Sequence, residues 1–147
     1  MALIVGNIAN DPTLESPISV AGADAYHAAR GNAAWAAIAD EETKEQLLRK
    51  ATDYMIATYN EAWSSTVQTM IQVPLLMAQA AAELALIAKT TPLLTNITRG
   101  KKRVKVGPLE VEYDGNGSMQ TQFVFASRKL SSLLAQTSGA MVRLKRC

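Results

Sequence analysis

Apolar and small residues recur at steps of three or four through Leu47, Leu48, Ala51, Met55, Tyr59 and Ala62. That spacing puts one stripe of a helix against a core. Asp40 stands at its head, and Glu41, Glu42 and Glu45 crowd the first turns, where the helix dipole favours anions. The pattern predicts a helix over 41–63, with Glu45 and Arg49 as an (i, i+4) pair on its wet face. Upstream, Ser19 is placed to cap a helix over 20–30, Gly31 to end it in a left-handed conformation, and 32–39 to form a short helical piece. The preceding arm, 1–18, carries Pro12, Pro17 and the turn formers Asn10-Asp11, which favour extended or irregular backbone.

Downstream, Pro74 suits the first position of a further helix running to about Lys89, with Pro92 just past its end. Leu75, Leu76, Met77, Leu84, Leu86 and Ile87 make it apolar nearly all round, and Ala78, Ala81, Ala85 and Ala88 form a ridge that lets a neighbour approach closely. A helix without a wet face belongs either at the centre of a bundle or partly under another subunit. After Arg99-Gly100 the period shortens to two. Positions 102–106 and 109–113 alternate around Gly107-Pro108 and predict a β-hairpin, followed by the loop Asp114–Ser118. A final helix is expected over 123–135 and a break at 137–139. The fold class that results is mainly α: a small helical bundle with one β-hairpin and an extended C-terminal tail. It divides into a helical domain, 1–139, with the hairpin near 102–113, and a tail, 140–147.

Composition agrees with a packed helical body. Of 147 residues 48% are hydrophobic, 5% aromatic and 19% charged, which argues against disorder and against an aromatic-rich sheet sandwich. The net charge of +2 conceals a division. Residues 1–98 hold 5 basic and 10 acidic side chains, whereas 99–147 hold 10 basic and 3 acidic. Either a polyanion or acidic partner meets the C-terminal third, or acidic and basic surfaces of identical copies meet each other. The single cysteine, Cys147, permits no internal disulfide, as suits a reducing cytosol. The start lacks a basic leader, and the run 73–88 falls short of the roughly 20 residues that span a bilayer, so a soluble chain is expected.

Candidate chemistry is sparse. His27 is the one histidine, so no site built on two imidazoles can form. Asp24 lies three residues before it and within reach on a helix, yet no G-x-S-x-G accompanies them, and His27 reads as structural or exposed. No phosphate-cradling glycine motif occurs. The expectation is no enzyme and no cofactor. The basic run is more informative: Arg99, Lys101, Lys102, Arg103 and Lys105 gather at the first hairpin strand. They can neutralise phosphates without reading bases, or they can serve as a charged edge that discourages wrong strand pairing. Glu110 and Glu112 on the second strand are positioned to blunt the patch. Only Tyr113 stands nearby to stack on a base.

Taken together, AGADAYHAARGNAAW (21–35), KATDYMIATYNEAW (50–63), KVGPLEVEYD (105–114) and the terminal VRLKR resemble a family of DnaT-like single-stranded-DNA-binding proteins found among the head-completion and head–tail adaptors of long-tailed phages. The resemblance runs in order over most of the chain. It implies a structural connector, assembled as a ring, dodecameric in expectation, at the virion neck after synthesis in the host cytoplasm. Its partners would be the portal protein, a neck or tail-completion protein, its own copies and the packaged DNA, with no membrane. On this chain Met141, Val142, Arg143, Leu144 and Lys145 would form the portal-docking tail, and Lys101, Lys102, Arg103 and Lys105 a basic hairpin facing the DNA channel or a neighbouring subunit. Tyr26, Trp35, Tyr54 and Trp63 occupy the family's aromatic positions and read as core or interface packing. Where relatives carry a longer loop with a Trp-Pro-Arg element, this chain has SSTVQTMIQV. The alternative function is a single-stranded-DNA-binding protein working through the basic C-terminal third.

Overall fold

The computed structural model describes residues 2–59, 62–93, 103–106, 109–112 and 123–135. The arm is irregular, as its prolines require: Val5 makes an isolated parallel bridge with Ser16, closed by a Gly6 N–H to Ser16 carbonyl bond of 2.9 Å. Ser19 then caps α1 (Val20–Ala29), its Oγ accepting from the Gly22 N–H at 3.1 Å. Gly31 follows with φ +66°, the left-handed conformation that glycine adopts without steric cost. The short helix α2 (Ala33–Ala36) comes next.

In α3 (Glu41–Tyr59) the Asp40 carboxylate accepts from the Glu42 and Thr43 amides at 3.3 and 3.1 Å. Its buried stripe holds Leu47, Leu48, Ala51, Thr52, Tyr54, Met55 and Tyr59, while Arg49 reaches Glu45 at 3.4 Å and Glu15 at 3.3 Å. The predicted continuation to Trp63 does not form. Trp63 instead bridges antiparallel to Leu134, with the Ser64 amide donating to Leu133 and the Ala135 amide to Ala62. Ser64 next caps α4 (Ser65–Thr69), a helix absent from the sequence reading.

Pro74 starts α5 (Leu75–Ala88), as its missing amide allows. Met77, Ala80, Ala81, Ala82, Leu84 and Ala85 are buried within the one chain, chiefly against α3, so the body's own helices account for most of the absent wet face. Leu75 is the exception, at 70% exposure. The hairpin is present as β1 (Arg103–Val106) and β2 (Leu109–Glu112), antiparallel and close to the predicted span. The last helix, α6 (Val124–Leu130), is shorter than expected at both ends. Phe123 is extended, and the chain after Leu130 turns to pair with Ala62–Ser64. α6 packs on α5 and closes the core through Ala126 and Leu130. Among the described residues no helix is long and apolar enough to cross a membrane. The expected loop 114–118, the break at 137–139 and the tail 140–147 lie outside the described residues.

Candidate nucleic-acid interface

The hairpin register sets Arg103 opposite Glu112, Lys105 opposite Glu110, Val104 opposite Val111 and Val106 opposite Leu109. Each basic strand position therefore faces an acidic one, and the strands themselves carry no net charge. Of the four basic hairpin residues singled out in the sequence, Arg103 and Lys105 sit on β1. Lys101 and Lys102, like the tail residues Met141, Val142, Arg143, Leu144 and Lys145, lie outside the described residues.

A second basic surface, not anticipated from the sequence, lies on α6. Ala126 and Leu130 face the core, while Val124, Phe125 and Arg128 are exposed. Lys129 stands one turn after Phe125, with Nζ 4.9 Å from the ring centroid. Its ammonium donates to Gln79 Oε1 at 2.8 Å and to the Tyr26 hydroxyl at 3.1 Å. Tyr26 in turn donates to Glu83 at 2.7 Å, and burial together with that bond pushes its hydroxyl up to about 12. Arg30 lies over the other part of this assembly, its guanidinium carbon 3.6 Å from the Tyr26 centroid. Burial, then the charge of Arg30, hold the Lys129 ammonium below the ordinary lysine value. The sequence signal for this surface is short: FASRK, a phenylalanine four positions before a lysine.

The remaining chemistry is structural. His27 is fully buried, with Nε2 3.0 Å from the Ala82 carbonyl, Nδ1 2.9 Å from the Asn32 amide and its ring 4.8 Å from that of Trp35. A neutral imidazole protonated at Nε2 satisfies both bonds, and burial lowers its basicity accordingly. Asp24 does not bond His27. It accepts from Trp35 Nε1 at 2.7 Å and from Lys44 at 2.9 Å. Tyr26, Trp35, Tyr54 and Trp63 are all core residues, as their reading required.

The model of a protein family described as "Putative DnaT-like ssDNA binding protein" matches residues 1–72 and 66–147. No curated protein and no solved structure matches the chain.

Proposed function

We propose that this chain, which belongs to the family of DnaT-like ssDNA-binding proteins, binds single-stranded DNA through its phosphates, without reading sequence, using the basic C-terminal third. The observation that carries the reading is the division of charge: 10 basic against 3 acidic residues after position 98, in a chain whose remainder is acidic. A polyanion is drawn to the residues of the basic third and repelled by those of the acidic remainder. In β1 and β2 each basic position stands opposite an acidic one, and the other cations of that third are Arg99, Lys101, Lys102, Arg128, Lys129, Arg143, Lys145 and Arg146.

An oligonucleotide neutralised by ~4 cations loses affinity with a slope of about −3 in log K against log salt, each contact adding about −0.7. Replacing Lys101 and Lys102 by glutamine reduces that slope more than replacing Arg103 and Lys105. Fluorescence anisotropy of labelled oligo-dT across a salt series measures both. Absence of binding at low salt removes the reading.

A different observation favours a second reading, a head–tail connector ring held between a portal protein and a neck or tail-completion protein. Ile71 and Leu75 are 93% and 70% exposed, Met70 is also exposed, and Ile4 and Val5 lie on the arm that Asn7 bonds to the Val67 and Met70 carbonyls. Exposed apolar side chains gathered around one loop are the chemistry of a protein contact. In this reading Met141–Lys145 docks on the portal through an added strand, and the copies enclose the DNA channel. Removing 140–147 then abolishes portal pull-down while leaving the thermal melt unchanged. Normal docking of the truncated chain excludes the tail as the anchor.

A further inference from the structure

We propose that Phe125 is a seat on which one base of a single strand stacks, with Lys129 and Arg128 of the same helix placed to meet the adjoining phosphates and Arg30 on the neighbouring Tyr26; the inference rests on the single-stranded-DNA reading above. The aromatic side chains of the body are otherwise committed to packing: Trp35, Trp63, Tyr54, Tyr26 and Tyr59 are buried and Phe123 is half-buried. Phe125 alone among the described aromatics is exposed, at 55%. Its ring sits at the start of α6 beside Val124, also exposed, while the same helix keeps Ala126 and Leu130 inside. The ring thus belongs to the outward face of the helix.

The surroundings select the ligand. Lys129 holds its charge over one face of the ring at 4.9 Å, its bonds to Gln79 and Tyr26 fix it there before any ligand arrives, and the opposite face is the one a base would take. Arg128 is one helical turn from Phe125 and exposed. Arg30 is stacked on Tyr26, the same residue that Lys129 contacts. Glu83 is the carboxylate facing this group, and it accepts from the Tyr26 hydroxyl. Lys129 and Arg128 on α6, with Arg30 on the adjoining Tyr26, outnumber the one carboxylate bonded within this group. An apolar protein partner would cover the ring but strip water from those cations without replacing it. A nucleotide supplies a flat aromatic face and a phosphate together, and stacking of this kind is indifferent to base identity.

The test uses the full chain with two strands of equal length and charge, oligo-dT and an abasic oligonucleotide, comparing wild type with Phe125→Ala, Phe125→Leu and Phe125→Trp. Wild type is expected to prefer oligo-dT. Phe125→Ala and Phe125→Leu weaken oligo-dT binding about tenfold, lose the preference and keep the salt slope. Phe125→Trp retains the affinity, and its emission is quenched as oligo-dT is added. Equal wild-type affinity for the two strands, or oligo-dT affinity unchanged in Phe125→Ala, overturns the seat while phosphate binding stands. A wild-type chain that binds neither strand overturns both.

Discussion

Replacing Trp35 by alanine is expected to destabilise the protein by about 3–5 kcal/mol, the range for deleting a buried aromatic side chain. That is a large share of the roughly 5–15 kcal/mol that holds a typical domain together. Trp35 comes from a helix of four residues, too short to persist alone, so its position is owed to what the indole touches. The ring is 1% exposed and lies against His27, whose own bond to the Ala82 carbonyl ties α1 to α5. Its Nε1 donates to Asp24, which also holds Lys44 at the start of α3. Alanine leaves a cavity at the meeting point of four helices and removes one of the two donors to that carboxylate. Trp35→Phe keeps most of the volume and forfeits the hydrogen bond, so about 1–2 kcal/mol is expected from it. Urea unfolding followed by circular dichroism distinguishes the two. A loss below about 2 kcal/mol for Trp35→Ala would show that α2 is not part of the cooperative core.

Asn7→Asp exchanges a single amino group for an oxygen and is expected to cost more than Asn7→Ala. The Asn7 side chain is 2% exposed, donates to the Val67 and Met70 carbonyls at 2.9 and 2.8 Å, and accepts from the Ala9 amide at 3.0 Å. Alanine removes the side-chain donor from both carbonyls and leaves Val67 with the Met70 amide at 3.3 Å, a loss of about 1–3 kcal/mol. Aspartate places a negative charge against those same oxygens. The damage is local, because the Asn7 bonds hold the arm to α4 and not α3 to α5. Amide exchange at Gly6 and Ser16 should therefore accelerate in both variants more than exchange within α3. Uniform acceleration would mean that the arm unfolds only with the whole domain.

Local chemistry made most elements readable from the residues alone. Ser19 and Gly31 bracket α1, Asp40 opens α3, Pro74 opens α5, and alternation around Gly107-Pro108 marks the hairpin. The misses share a cause: each depends on a partner far along the chain. α3 does not reach Trp63, which pairs with Leu134 instead, and the same pairing shortens α6. α4 is one turn held by Ser64 and by Asn7, sixty residues earlier, and no periodicity can announce so brief a helix. In the candidate site, alternation places Glu110 and Glu112 across from the basic strand, and the structure supplies the register that sets Arg103 opposite Glu112. Phe125 was read simply as part of a helix, since a phenylalanine in a short apolar run looks the same whether it faces core or water.

In chain order residues 94–122 connect α5 to α6, and those two helices pack directly on each other. The α5–α6 contact brings the two ends of that connection together. For such an arrangement the cost of the connecting chain is conformational entropy, which rises slowly: each doubling of length adds only about 0.6 kcal/mol. By that arithmetic a change in the length of the connection that carries Arg99 to Lys105 costs folding little. A lineage could retune what this chain grips, residue by residue, while the body that presents it stays the same.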